Sequence, residues 1–178
     1  MNKSLNLSKK SFAIYGLGKT GKSVINYFER KGFENWSAWD DNAKEKDFCG
    51  PIKKKEGERL FTKRLDSAKF IVISPGISLH KASLKKKLIE NKEKIITDLD
   101  LFYLFNPKIK TIVITGTNGK STTCKILEHV LKKNNINARL GGNIGKPVLD
   151  LNLKDDPIVV IEASSFQLAY SKFIKPDY

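Results

Sequence analysis

A seven-residue segment combines glycines, a lysine and hydroxyl side chains in the pattern of a phosphate-binding loop. It reads Gly116-Thr117-Asn118-Gly119-Lys120-Ser121-Thr122 and directly follows a β-branched run over residues 111–115. In such a loop the backbone can surround phosphate oxygens, the lysine can reach the β and γ oxygens, and a Ser or Thr hydroxyl can hold Mg²⁺. Ile114 stands where the common form of the loop has its first glycine. The segment nevertheless predicts ATP as a ligand.

Two polar residues elsewhere in the second half could take part in the same chemistry. Glu162 ends the apolar run 158–161, and a carboxylate at the carboxyl end of a strand beside a phosphate loop can hold Mg²⁺ or its water shell. The alternative for Glu162 is a simple capping role. Asn143 lies in the glycine-rich segment 141–145 and offers both a donor and an acceptor, although that segment could equally be a plain loop.

A second glycine-rich turn lies near the start of the chain. Gly16, Gly18 and Gly21 follow the apolar run 12–15 and precede residues with helical apolar spacing. Such a turn lets the backbone approach a diphosphate at a helix N-terminus, and Asp40, about twenty residues further on, could accept a ribose hydroxyl. NAD and a nucleotide-sugar diphosphate both fit this pattern, and a tight turn without a ligand remains the alternative.

These motifs require two α/β units in series to position them. The first unit combines parallel strands with helices, and the pattern starts afresh after Asn106-Pro107, which we take as the boundary between domains 1–106 and 107–178. The predicted strands of the first domain are 12–15, 36–39, 70–73 and 95–96; those of the second are 111–115, 138–140 and 158–161. Helices are predicted up to residue 31, over 80–91, from Asp98 to Phe105 and after the phosphate loop, and residues 41–66 are predicted to be a looser stretch.

Composition and charge limit the class of protein. Hydrophobic residues make up 40% and charged residues 29%, which is typical of a globular chain. No apolar run reaches the roughly 18 residues that a membrane helix needs, no signal peptide is expected, and the lone cysteines favour a reducing cytoplasm. The net charge of +14 could serve nucleic acid, but the lysine runs lack interleaved aromatic residues, so a solvated surface is favoured.

Taken in order, these segments resemble the Mur ligases, and within that family the branch that adds D-glutamate. The resemblance covers nearly the whole chain and is carried by Gly16–Gly21 with Asp40, Ser74–Ile77, the loop 116–122 with its missing first glycine, Gly142–Gly145 and Glu162–Leu168. It implies an α/β fold: a Rossmann-like UDP-binding domain with a parallel sheet, followed by the incomplete start of a P-loop-type ATP-binding domain.

The resemblance also implies a reaction. ATP would phosphorylate the carboxylate of UDP-N-acetylmuramoyl-L-alanine, and the amine of D-glutamate would attack the acyl phosphate, a step of peptidoglycan synthesis in the cytoplasm. Lys120 and Glu162 would be catalytic, and Ser121 and Glu162 would hold Mg²⁺. ATP would be bound by Gly116, Thr117, Asn118, Gly119, Lys120, Ser121 and Thr122, and the UDP-sugar by Lys19, Thr20, Asp40, Gly76, Asn143 and Ser164. No nucleic-acid or membrane partner is implied, and the full-length protein would be a monomer.

Two departures qualify what the resemblance implies. Asn42 stands where the family often has a basic residue near the uracil. The family's central domain continues beyond the point matching Tyr178, where it supplies a histidine and a carbamylated lysine, and a third domain binds the ATP base and the amino acid. We therefore expect an incomplete chain without ligase turnover of its own. A UDP-sugar-binding module without chemistry and a nicotinamide-dependent oxidoreductase remain the alternatives.

Overall fold

The computed structural model describes residues 7–42, 48–49 and 57–178. The chain divides into two compact units, with the division between Asp98 and Leu99. Both units are α/β with parallel strands, which confirms the predicted fold class. Within the described ranges, no helix has the length and apolar character needed to cross a membrane.

The first unit is built on a sheet in the order β3-β2-β1-β4-β5. Its strands are β1 (Phe12–Tyr15), β2 (Trp36–Trp39), β3 (Phe48–Cys49), β4 (Phe70–Ile73) and β5 (Ile95–Ile96). All neighbours pair in parallel except β2 and β3, which are antiparallel. The central strands β1, β2 and β4 are almost entirely buried, as the near-continuous apolar runs of a two-faced parallel sheet predict.

Among the described residues, the sheet is accompanied by the α-helices α1 (Lys19–Arg30), α2 (Gly57–Ser67) and α3 (Lys85–Glu90). Helix α1 buries Val24, Ile25 and Phe28 at helical spacing. Phe28 lies 4.8 Å from the ring of Phe12 on β1 and stacks on Phe33 at 4.5 Å. This packing holds the carboxyl-terminal part of α1 against the start of β1.

Two predictions for the first unit were wrong in detail. Residues 57–66 of the predicted loose stretch belong to α2, which buries only Phe61 and Leu65, while residues 43–47 and 50–56 of that stretch lie outside the described residues. The helix predicted over 80–91 is limited to Lys85–Glu90. The backbone N–H of Ser83 donates to the carboxylate of Asp41 instead of to a helical carbonyl.

The second unit contains a three-stranded parallel sheet in the order β6-β8-β7. Its strands are β6 (Thr111–Ile114), β7 (Ala138–Gly142) and β8 (Ile158–Glu162), and its helices are α4 (Asp98–Phe105), α5 (Lys120–Lys133) and α6 (Ser165–Tyr170). On α5 only Cys124 is buried; Leu127 and Leu131 are half-buried, and Ile126 and Val130 are exposed.

Helix α4 is tied to the second unit by polar contacts. The buried Asp100 accepts hydrogen bonds from the backbone N–H groups of Lys172 at 2.7 Å and Phe173 at 2.6 Å. The hydroxyl of Tyr103 donates to the hydroxyl of Thr111 at 2.8 Å. These contacts explain why the division falls at residue 98, whereas the domain boundary predicted at residue 106 stays a prediction.

Candidate functional site

In the first unit, the carboxyl ends of three adjacent parallel strands meet at one edge of the sheet. Tyr15 is in register with Trp39 on β2 and with Ile73 on β4. The chain that leaves β1 is the glycine-rich turn, the chain that leaves β2 begins with Asp40, and the chain that leaves β4 begins with Ser74. Ligands of open α/β sheets bind at this edge, where the connecting turns leave a crevice.

The glycines of the first turn are required for close packing. Gly16 has φ +98°, and a Cβ there would lie 2.8 Å from Ile77 and 2.9 Å from Ser74. A Cβ on Gly21 would lie only 1.9 Å from the carbonyl oxygen of Gly16, whereas one on Gly18 would meet no atom within 4 Å. Gly16 and Gly21 therefore shape the turn, while Gly18 faces open space.

The start of helix α1 suits an anion. Gly18 occupies the N-cap without a side-chain cap, and the first turn of the helix carries no acidic residue. Lys19 is exposed and Thr20 is partly exposed at this end. Since a helix N-terminus presents N–H donors and a positive partial charge, this end of α1 can hold a diphosphate.

Asp40 has a structural role that the sequence did not reveal. One carboxylate oxygen accepts from the backbone N–H of Leu17 at 2.6 Å, and the other accepts from that of Asn42 at 2.8 Å. Asp40 therefore fastens the glycine-rich turn to the end of β2. Each oxygen keeps further acceptor capacity, so the predicted ribose contact stays a prediction.

Gly76, the remaining predicted residue of this unit, is exposed in the turn after β4. Sequence reasoning missed its neighbour Ser74, whose buried hydroxyl donates to the carbonyl oxygen of Gly16 at 2.8 Å. The Ser-Pro-Gly segment was recognised as a turn, but a serine gives no sequence signal for a contact with a residue 58 positions away.

Sequence reasoning also missed a polar cluster centred on Asp41. Its Oδ1 accepts from the Tyr15 hydroxyl at 2.6 Å, from Trp39 Nε1 at 3.0 Å and from the Ser83 hydroxyl at 2.5 Å. Its Oδ2 accepts from the Ser83 backbone N–H at 2.9 Å. Burial raises the pKa of the Asp41 carboxyl, but the bonds from Ser83, Tyr15 and Trp39 outweigh it and hold this pKa below the ordinary value.

Removal of the Tyr15 hydroxyl is expected to change the stability at alkaline pH. Burial, together with the hydrogen bond to Asp41, raises the pKa of Tyr15 to about 12 from an ordinary 10.0. The folded chain thus holds this proton more tightly than the unfolded chain, and the associated stability is complete below pH 10 and is lost as the pH rises towards 12. As the pH rises from 10 towards 12, we expect the free energy of unfolding to fall more in the unsubstituted chain than in Tyr15→Phe.

Urea unfolding of both chains at about pH 9, 10 and 11 measures this difference. Lysine titration is common to the two chains and cancels in the comparison. A difference in the free energy of unfolding that stays constant from pH 9 to 11 would contradict the expectation.

In the second unit, the predicted phosphate loop connects β6 to helix α5. Gly116 and Gly119 have φ values of +141° and +77°, and Gly119 is the N-cap of α5. The ammonium group of Lys120 donates to the carbonyl oxygens of Gly116 at 2.7 Å and Thr117 at 3.3 Å. Thr117, Asn118 and Thr122 are exposed on the loop and at the start of the helix. The lysine therefore lies over the loop, where phosphate oxygens would be bound.

The carboxylate of Glu162 lies beside this loop. The residue is 2% exposed, and its Oε2 accepts from the hydroxyl of Ser121 at 2.6 Å. Its Oε1 accepts from the side-chain amide of Asn143 at 3.3 Å. The structure thus brings three predicted residues from β8, α5 and the turn after β7 into direct contact.

The close approach of β7 to β8 makes this contact possible. Gly142 is in register with Glu162 and has φ +109°, and a Cβ there would lie 2.3 Å from the carbonyl oxygen of Glu162. The backbone N–H of Asn143 donates to the same carbonyl at 2.8 Å. Because Gly142 has no side chain, the turn carrying Asn143 can reach the end of β8.

The oxygen atoms at this point fit Mg²⁺. That ion prefers oxygen ligands and typically takes one or two carboxylates, with phosphates and water completing its coordination. A buried carboxylate and a hydroxyl 2.6 Å apart supply such a set. Across the part of the chain that the structure describes, no group of three or more His, Cys, Asp or Glu side chains converges, so phosphates and water would have to complete the coordination.

Two effects act on the thiol of Cys124. Burial first, and then the negative charge of Glu162, together raise the pKa of Cys124 to about 11. The thiol is therefore protonated at neutral pH and is no nucleophile.

Ser164 has a structural role at the start of helix α6. Its hydroxyl accepts from the backbone N–H of Gln167 at 3.1 Å, and the Gln167 side chain accepts from the backbone N–H of Ser164 at 3.0 Å. This reciprocal pair is a capping box at the start of α6. The predicted contact of Ser164 with substrate stays a prediction.

Comparison with known proteins decides the family. Residues 10–97 match the family "Mur ligase MurD-like, N-terminal domain". The chain is also 43% identical over 173 residues to the UDP-N-acetylmuramoylalanine--D-glutamate ligase of Wolbachia sp. subsp. Brugia malayi, over 92% of this chain and 34% of that protein. The chain belongs to the Mur ligase family. Ligases of the same name from Buchnera aphidicola and Rickettsia prowazekii are 40% and 38% identical, over 93% and 90% of this Mur ligase chain.

The Mur ligase chain spans about a third of the length of these relatives, 34% of the Wolbachia protein, 37% of the Buchnera protein and 35% of the Rickettsia protein. Among solved structures, it is similar to the UDP-N-acetylmuramate:L-alanyl-gamma-D-glutamyl-meso-diaminopimelate ligase from Neisseria meningitides, with a TM-score of 0.45 and 19% identity over 88% of this chain and 55% of that one. The family assignment rests on the sequence relatives.

Proposed function

We propose that this chain is the UDP-sugar-binding and phosphate-binding part of an ATP-dependent ligase that joins D-glutamate to UDP-N-acetylmuramoyl-L-alanine in peptidoglycan synthesis. The observation that carries the proposal is the contact of Ser121 and Asn143 with the buried carboxylate of Glu162, directly beside the loop that bears Lys120. The names of the sequence relatives supply the proposed substrates. The proposed setting is the cytoplasm, with a monomeric full-length protein.

The second unit would serve the phosphoryl transfer that activates the carboxylate. Residues 116–122 would bind the phosphates of ATP, with Lys120 moving from the carbonyl oxygens of Gly116 and Thr117 to the β and γ oxygens. Ser121 and Glu162 would hold Mg²⁺, which neutralises negative charge on the phosphates when it is bound. The barrier to such a transfer is lowered mainly by positioning and by charge neutralisation, and these residues can provide both.

The first unit would hold the UDP part of the substrate. The N-terminus of α1, with Lys19 and Thr20, would bind the diphosphate, and Asp40 and Gly76 would border the uridine. In the second unit, Asn143 would contact the muramoyl part of the substrate, with Ser164 nearby. The hydrogen bond from the Asn143 amide to the Glu162 carboxylate supports this part of the proposal, because the residue proposed for the substrate lies beside the residue proposed for Mg²⁺.

Titration calorimetry distinguishes this proposal from the two alternatives. We expect the chain to bind UDP-N-acetylmuramoyl-L-alanine and to show no heat of binding with NADH. NADH binding without UDP-sugar binding would overturn the proposal in favour of an oxidoreductase. If the UDP-sugar bound but Mg²⁺-ATP did not, the binding-module alternative would replace the ligase.

A further inference from the structure

The three turns at the edge of the first sheet are cross-linked in pairs. The glycine-rich turn is joined to the turn after β4 through the Ser74 hydroxyl and the Gly16 carbonyl oxygen. It is joined to the chain after β2 through the Leu17 N–H and the Asp40 carboxylate. The third pair, the chain after β2 and the segment after β4, is joined by Asp41 and Ser83. The three links therefore join the three segments to one another in a closed ring.

The third link has more hydrogen bonds than the other two. Asp41 receives four donors, from Tyr15, Trp39 and both donor groups of Ser83. The Tyr15 hydroxyl also lies 3.3 Å from the Ser83 hydroxyl and accepts from the Leu84 backbone N–H at 3.4 Å. Because Tyr15 is fully buried at the end of β1, this cluster anchors the segment 83–84 to the core of the sheet.

We propose that Asp41 is a positioning residue of the nucleotide site, which holds the wall formed by the segment after β4 at the distance from the glycine-rich turn that a uridine diphosphate requires. The proposal rests on the proposed function of the first unit. Asp41 acts through Ser83 and Tyr15, and its two oxygens face these partners. Two of the three cross-links involve the segment after β4. Without the link through Asp41, only the contact of Ser74 would hold this segment near the site.

The chemistry of the cluster makes an isosteric test available. The four donors are divided between the two oxygens, three at Oδ1 and one at Oδ2. In Asp41→Asn the amide NH₂ must replace one of these oxygens, so in either orientation an N–H group meets at least one donor. Asp41→Glu keeps the two acceptor oxygens and adds one methylene group. The acceptor pattern and the size of the side chain can therefore be varied separately.

The test is the affinity for uridine diphosphate, measured by calorimetry on the whole chain. We expect Asp41→Asn to weaken binding by about tenfold, because the binding-competent arrangement of the turns becomes a minor population. Asp41→Glu should recover most of the affinity despite its poorer match in size. Ser83→Ala, which removes only one donor, should give a smaller loss in a chain that folds normally.

Asp66→Asn is the matched control. Asp66 lies near the end of α2, shortly before β4 begins, and so at the opposite edge of the sheet. It resembles Asp41 in that hydrogen bonds, here from Lys87 and Asn91, hold its pKa below the ordinary value. It should leave the affinity for uridine diphosphate unchanged. The indole N–H signal of Trp39 in an NMR spectrum should shift in Asp41→Asn and stay in place in Asp66→Asn.

Unchanged affinity in both Asp41→Asn and Ser83→Ala would overturn the positioning proposal and leave the proposed function standing. Equal losses of affinity in Asp41→Asn and Asp66→Asn would show that the effect comes from general stability, and they would overturn the positioning proposal as well. If the unsubstituted chain bound no uridine diphosphate, the proposed function of the first unit would fail together with the inference that rests on it.

Discussion

Replacing Gly21 with alanine is expected to destabilise the first unit by ~3 kcal/mol or more. The new Cβ would lie 1.9 Å from the carbonyl oxygen of Gly16 and 3.2 Å from the hydroxyl of Ser74. The first contact is with backbone, so a simple change of rotamer cannot relieve it. Both helix α1 and the end of β1 would have to move, and their aromatic packing through Phe12 and Phe28 resists that movement.

The control lies three residues earlier in the same turn. Gly18→Ala adds the same methyl group where no atom lies within 4 Å and where φ is −65°, so we expect a loss below about 1 kcal/mol from the poorer N-cap. Both tryptophans, Trp36 and Trp39, lie in the first unit, and their fluorescence during urea unfolding reports its stability. Equal stability losses for the two alanine variants would show that the close approach of Gly21 to Gly16 is not what fixes the turn.

Glu162→Gln is expected to remove the Mg²⁺ dependence of ATP binding and to leave the fold intact. Glutamine has the size of glutamate, its carbonyl can accept from Asn143, and its amide can donate to Ser121, because a hydroxyl is both donor and acceptor. It lacks the negative charge that attracts a divalent cation. The quantity to compare is the ratio of the ATP affinities with and without Mg²⁺. We expect this ratio to be at least about tenfold smaller in Glu162→Gln than in the unsubstituted chain.

Calorimetric titration with ATP, with and without Mg²⁺, measures this effect. Glu128→Gln is the control, since Glu128 is a glutamate of the same unit that pairs with Lys132 on helix α5. It should bind Mg²⁺-ATP as the unsubstituted chain does. Thermal unfolding should show Glu162→Gln to be at least as stable without ligand, because burying a carboxylate is costlier than burying an amide. Retained Mg²⁺ dependence in Glu162→Gln would place the ion elsewhere.

Much of the second site could be predicted from the sequence because parallel strands put their carboxyl ends at one edge. The loop after β6 and Glu162 at the end of β8 each follow a recognisable apolar run, and Asn143 follows the short strand predicted over 138–140. Once the strands are assigned as parallel, their ends must be neighbours. The contact between Ser121 and Glu162 then follows from strand order.

Other features could not be predicted, because their signals depend on residues far apart in the chain. Helix α2 lies in a Lys- and Glu-rich segment and buries only Phe61 and Leu65, which is too few apolar positions for a clear helical period. Asp41 resembles any acid after a strand until Ser83, 42 positions later, is placed beside it. Asp100 likewise gives no sign that it receives the backbone of Lys172.

Under the proposed function, the position of Lys120 over its own loop bears on the rate at which nucleotide would be taken up and released. Exposed side chains exchange rotamers within picoseconds to nanoseconds, far faster than a ligand at ordinary concentration arrives by diffusion. The ammonium group can therefore leave the carbonyl oxygens of Gly116 and Thr117 without delaying association. If the loop binds nucleotide as proposed, the two hydrogen bonds of Lys120 would re-form as the phosphates depart and would favour their release. The same lysine would then shorten the residence time of ADP.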